Sequence, residues 1–152
     1  MDGISKLIEN GDYEIIDCKD QNDFFKKIYK DYLDRDMVEK TFYEAILERE
    51  REFPTGLKTS TYNVALNHVD SIHVKTNALF IYKMKNDILY HQMDDSENVI
   101  PVGVVFVLLI KNHDLQVGAI SEICKLWMND ELMMKLREQS NKNDVIALLK
   151  KG

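Results

Sequence analysis

Histidine is the side chain whose charge changes near neutral pH, and its neutral ring nitrogen can act as a nucleophile. The chain has four: His68, His73, His91 and His113. His68 follows the apolar triplet Val64-Ala65-Leu66, which reads as a short strand. His113 lies three residues beyond the apolar run Val102 to Ile110, just ahead of a predicted helix whose N-terminal amides favour an anion. In open α/β sheets, ligands and reactive groups gather at the C-terminal edge of the strands, so these two histidines could face each other across a cleft. Spacing leaves a plainer alternative open, in which each caps a strand or solvates a loop.

Other chemistries find little material. His68 and His73 are separated by a stretch containing Asp70, but no further His or Cys lies nearby to complete a zinc shell, and no metal site is expected. His91 sits in the polar stretch Tyr90 to Asn98 and reads as a surface residue. Cys18 and Cys124 belong to no CxxC pair and read as reduced, packed thiols. GxGxxG, Walker A, GxSxG and HExxH motifs are absent, and 6 glycines leave little for a phosphate-cradling loop, so no cofactor is expected. The carboxylate-rich run Glu44 to Glu52 reads as a solvated helix face with i,i+4 pairs. Arg49 stands apart within it, because it ends that helix just before the Pro54-Thr55-Gly56 break.

The elements that must position these residues follow from length and pattern. At 152 residues, 45% hydrophobic and 30% charged, the chain is expected to form one soluble domain spanning 1–152. A net charge of −6 disfavours nucleic acid or an anionic membrane as the main partner. Met1 to Asn10 mixes charges into its apolar residues and offers no signal-peptide core, so a cytoplasmic location is expected, and the longest uncharged run, Asn98 to Ile110, is too short to span a bilayer as a helix.

Tyr13 to Cys18 reads as a strand, and Asp20 as the cap of a helix carrying Phe24, Phe25, Ile28, Tyr29 and Tyr32 at helical spacing. Asp36 with Glu39 has capping-box spacing for a second helix with Val38, Phe42, Ala45 and Ile46 on its apolar stripe. Val64 to Leu66 and Ala78 to Met84 read as strands, and Val102 to Ile110 as a strand near the sheet centre, covered on both faces. Ile120, Ile123, Cys124 and Trp127 mark a helix, Asp130 caps a shorter one through Arg137, and Val145 to Leu149 close the chain. The expected fold class is α/β: a single domain with a central mixed β-sheet flanked by helices on both faces.

Three runs carry a family resemblance: Leu47-Glu48-Arg49-Glu50, Pro54-Thr55-Gly56-Leu57, and Val64-Ala65-Leu66-Asn67-His68-Val69-Asp70. Together they resemble the signature of enzyme IIA of the bacterial phosphoenolpyruvate:sugar phosphotransferase system (PTS), mannitol/fructose type. Phe53-Pro54-Thr55-Gly56-Leu57 and His73-Val74-Lys75 are most similar to the galactitol-specific branch, and Asn112-His113-Asp114-Leu115 extends the likeness toward the C-terminus. The resemblance implies a phosphocarrier that accepts a phosphoryl group from phospho-HPr on His68 and passes it to a cysteine of enzyme IIB, and through it serves membrane enzyme IIC in uptake of galactitol or a related carbohydrate. It further implies phosphoryl-stabilising roles for Arg49, His113 and Thr55. A guanidinium fork matches phosphoryl oxygens, and a second imidazole can donate to the same group. Two features depart from the family pattern: Asn67 stands where Pro usually precedes the reactive histidine, and the loop before the strand is longer than in mannitol or fructose members.

A partner must reach His68, so it is expected at the bottom of a shallow depression whose rim carries the apolar side chains Leu57, Val69 and Ile72 for docking. Two other readings compete. One is a regulatory IIA-like module whose phosphorylation state is read by a partner protein; the other is an α/β binding domain with incidental histidines.

Overall fold

A computed structural model describes residues Met1–Lys151. Four strands form one sheet: β1 (Asp12–Ile16), β2 (Val64–His68), β3 (Ala78–Gln92) and β4 (Asp95–Leu109), in the order β1-β3-β4-β2. β1 runs parallel to β3, β2 runs parallel to β4, and the central pair β3 and β4 is antiparallel. The sheet is therefore mixed, and the apolar run that begins at Val102 lies in a central strand as the pattern implied.

Alternation along the strands separates two cores. Phe80 and Tyr82 of β3 face α2 (Gln21–Asp34) and α3 (Phe42–Glu52), which contribute Phe24, Tyr32, Phe42 and Ile46. Leu79 and Ile81 face the opposite way, against α1 (Asp2–Asn10), α4 (His113–Trp127), α5 (Asp130–Glu138) and α6 (Lys142–Lys151). Helices thus cover both faces. Among the described residues no helix is long and apolar enough to cross a membrane.

Local rules account for most boundaries. Asp20 caps α2 by accepting from the Asp23 amide at 2.8 Å, and Asn112 caps α4 by accepting from the amides of Asp114 and Leu115. The expected capping box at Asp36 does not form. Asp36 has φ of 57°, Glu39 donates its amide to the His73 carbonyl, and α3 starts at Phe42. The segment between the helices is held by an isolated bridge from Val38 to Val74 and by the Lys75–Asp36 ion pair, so tertiary contacts outweigh the local helix signal. Asn129, not Asp130, caps α5. Cys18 is buried, but Cys124 is exposed, because Leu126 instead joins Ile123 and Trp127 on the inner face of α4.

The largest departure is the length of β3. It continues past Met84 to Gln92 and, after a register shift, pairs Ile88 to His91 with Val99 to Val102, extending a two-stranded arm. Gly56 lies against this arm, donating to the His91 carbonyl and accepting from the Met93 amide. A Cβ on Gly56 would stand 2.8 Å from the His91 carbonyl oxygen, so only glycine lets the loop approach this closely.

Candidate functional site

β2 and β4 are parallel, so their C-terminal ends share one edge of the sheet. His68 is the last residue of β2 and pairs with Leu108; β4 ends one residue later, and His113 opens α4 shortly beyond. Sheet topology thus brings the two histidines to the same edge, with His68 on the α4 face by strand alternation. Asp70 connects their surroundings. It lines a depression of about 230 Å³ with Arg49, Phe53 and Glu48, and another of about 310 Å³ with His113, Ile72 and Gln116.

Arg49 occupies the last turn of α3, over the Phe53 ring, with Nη1 3.9 Å from Asp70 Oδ1. Both partners of that ion pair are substantially exposed, so it orients the guanidinium more than it stabilises the fold. Burial, and secondarily the Arg49 charge, lower the His68 pKa from 6.5 to about 4, with Asp70 pulling the other way. His68 is therefore a neutral imidazole at pH 7. Its Nδ1 atom is buried and has no hydrogen-bond partner among the described residues. The half-buried ring consequently meets solvent away from Nδ1, which makes Nε2 the nitrogen that an incoming group can reach.

Behind this surface lies a buried polar chain, and it includes Glu50, which belongs to the run expected to form a solvated helix face. Glu50 is only 6% exposed and Asn67 only 2%. The Glu50 carboxylate accepts from the Thr55 amide at 3.0 Å, from the Thr55 hydroxyl at 2.8 Å and, at a longer 3.4 Å, from Asn67 Nδ2. Asn67 Oδ1 in turn accepts from the buried Tyr90 hydroxyl at 2.7 Å. Burial raises the Glu50 pKa from 4.5 to about 7, against the lowering effect of the hydrogen bonds from Thr55 and Asn67. One sequence signal was available for this residue: Phe42, Ile46 and Glu50 recur every four residues and together form the buried face of α3.

Several expected site residues are placed differently. The single hydroxyl hydrogen of Thr55 is committed to Glu50, leaving no donor for a phosphoryl oxygen. Val69 is 2% exposed and packs in the core beneath α3, so it is not available as a rim residue. Leu57 packs partly buried and bridges Val64, at the opposite end of β2 from His68. Ile72, by contrast, is 74% exposed beside His113. Phe53, 62% exposed beside Arg49, is a second apolar rim residue that the motif reading did not single out. His73 lines the same depression as Arg49 and Asp70, with Nδ1 2.7 Å from the Thr41 hydroxyl. His91 is exposed on the strand arm, as its polar surroundings implied, with Nδ1 2.8 Å from the Ser96 carbonyl.

Comparison with known proteins bears on the family and the fold. The galactitol-specific EIIA component of the PTS from Escherichia coli (strain K12) is 30% identical over 97 residues, a match covering 64% of this chain and 64% of that protein. The chain therefore spans less than two thirds of the length of the curated relatives it matches. The solution structure of the mannitol-specific cryptic phosphotransferase enzyme IIA from Escherichia coli superposes with a TM-score of 0.73 at 16% identity, covering 98% of this chain and 99% of that one. Enzyme IIAMTL in its complex with phosphorylated enzyme IIBMTL, also from Escherichia coli, gives a TM-score of 0.68 at 16% identity over 91% of this chain and 95% of that one. At such identities the structural likeness establishes the fold alone. Residues 8–152 match the family described as phosphoenolpyruvate-dependent sugar phosphotransferase system, EIIA 2, and the chain belongs to that family.

Proposed function

We propose that the protein is the phosphocarrier of a sugar PTS, with His68 as the residue that carries the phosphoryl group. The observation that carries this reading is a neutral, half-buried imidazole at the end of β2, beside Arg49 and on the same sheet edge as His113. The lone pair on Nε2 attacks the phosphorus of phospho-HPr. The P–N bond to HPr breaks, and the HPr ring nitrogen keeps the electron pair. In the second step a thiolate of enzyme IIB attacks the same phosphorus, a P–S bond forms, and His68 recovers its lone pair. Both transfers pass in line between side chains of two proteins, which suits shallow depressions better than a deep pocket.

Arg49 supplies a fixed positive charge and a planar fork to the phosphoryl oxygens, and His113 supplies a ring donor from the first turn of α4, where the helix dipole also favours negative charge. Thr55 acts from behind, through Glu50. The IIB partner is supported by the complex formed by the mannitol relative, and the galactitol-specific relatives support galactitol or a related carbohydrate as the sugar served. HPr and IIB would share the rim that Ile72 and Phe53 provide, in small and short-lived contacts.

Purified phosphoenolpyruvate, enzyme I, HPr and the cognate IIB test the proposal directly. Phosphate is expected to reach the IIB cysteine only when this protein is present. Transfer at an unchanged rate without it, or with His68→Ala in its place, would overturn the reading.

A further inference from the structure

Resting on that phosphocarrier reading, we propose that Glu50 is a positioning residue: with Asn67 it ties the end of α3 that carries Arg49 to the end of β2 that carries His68. Each member of the tie is the immediate sequence neighbour of a site residue, Glu50 of Arg49 and Asn67 of His68. Each is buried, while Arg49 lines the depression beside Asp70 and His68 stands half-buried at the end of β2. The Glu50 carboxylate and the Asn67 amide meet at 3.4 Å, and each is anchored on its far side, Glu50 by two donors of Thr55 and Asn67 by Tyr90. Thr55 is fixed in turn, because Gly56 is hydrogen-bonded on both sides to the β3 arm.

The tie depends on charge. An ionised Glu50 only accepts, which matches the donors of Thr55 and Asn67 that point at it. Protonation places a hydrogen on a carboxyl oxygen and sets a donor against a donor there. With the Glu50 pKa near 7, both forms occur around neutral pH. Other titratable groups packed around the chain do not change charge there: burial holds Tyr90 well above its ordinary value, pushes Cys18 up to about 11 and takes His68 down to about 4. Glu48 and Glu52 of the same helix are exposed and turned away from the buried face.

The test is the rate of phosphoryl transfer from phospho-HPr to wild type and to Glu50→Gln, expressed as the variant's rate over that of wild type from pH 5.5 to 8.5. The donor's own titration cancels in that ratio. The introduced amide resembles protonated glutamic acid, so the ratio is expected near 1 at pH 5.5 and to fall to about one tenth at pH 8.5, with a midpoint near 7; a tenfold loss corresponds to one charge-assisted hydrogen bond. A ratio that does not vary with pH overturns the positioning role. Should Glu50→Gln not fold, the wild-type protein still decides, because the Glu50 carboxyl carbon and the Arg49 and His68 side-chain NMR signals must then shift with one common midpoint near 7, and separate midpoints overturn the role. Absence of any His68 phosphorylation in wild type would instead refute the phosphocarrier reading beneath it.

Discussion

Replacing Glu50 by glutamine should make the folded protein more stable in alkaline solution, although the residue belongs to the site. Glu50 is nearly fully buried, and its pKa of about 7 in the fold compares with an ordinary 4.5. Between those two values the folded chain holds a proton that the unfolded chain has lost, so stability falls as pH rises through the window. At about 1.4 kcal/mol per pH unit, the gap corresponds to about 3 kcal/mol. A glutamine side chain cannot ionise, so the stability of Glu50→Gln relative to wild type should increase by about 3 kcal/mol between pH 4.5 and pH 8. His68 acts in the opposite sense, because its pKa of about 4 means that stability is lost as pH falls below 6.5, but it does so equally in both proteins and cancels in the difference. Urea unfolding at several pH values, followed by fluorescence of the single tryptophan, Trp127, which is buried against Phe106, measures the effect. A difference that is constant with pH, or one that shrinks as pH rises, would refute the assignment of Glu50 as a buried, destabilising carboxylate.

Arg49→Ala and His113→Ala should each slow transfer from phospho-HPr on the order of 10²-fold, the effect of losing one charge-stabilising donor, with the melting temperature little changed because both lie at the cleft edge. Tyr32→Phe should cost about 1–3 kcal/mol in urea unfolding, since it leaves the buried Tyr82 hydroxyl without its 2.6 Å partner, and the double variant with Tyr82→Phe should cost less than the sum of the two single variants. Ile72→Asp should weaken binding of HPr in an NMR titration without lowering stability, whereas Val69→Ala should lower stability by about 1–3 kcal/mol through a core cavity.

The elements were legible wherever one physical signal dominated. The all-apolar stretch from Val102 could only be a covered strand, and the Phe24, Phe25, Ile28, Tyr32 spacing could only be a helix packed on one face. α1 had the same kind of signal in Ile4, Leu7 and Ile8, but its short, charge-interrupted sequence reads first as a polar terminus. The β3 arm was obscured because Lys85, Asn86 and Asp87 interrupt the apolar run, and pairing with β4 carries the strand through them. His68, Arg49 and His113 were visible as residue types at the ends of predicted elements, and topology brings them to one region of the sheet edge. The role of Glu50 was not, because a carboxylate in a charged helical run reads as solvated until its burial is seen, and Asn67 stood out only as a departure from the family pattern until its contact with Glu50 is seen. Val69 shows the converse. Its place beside His68 suggests a rim residue, yet the strand period turns it inward, and sequence proximity to a site does not decide which way a side chain faces.

The identity of the phosphorylated atom can be read directly. Protein incubated with phosphoenolpyruvate, enzyme I and HPr, then examined by phosphorus NMR and by mass spectrometry at alkaline pH, should carry one acid-labile phosphoryl group on His68, attached at Nε2 because Nδ1 is buried. Phosphate on a serine, threonine or aspartate, on Nδ1 of His68, or persisting undiminished in His68→Ala would refute His68 Nε2 as the phosphoryl carrier.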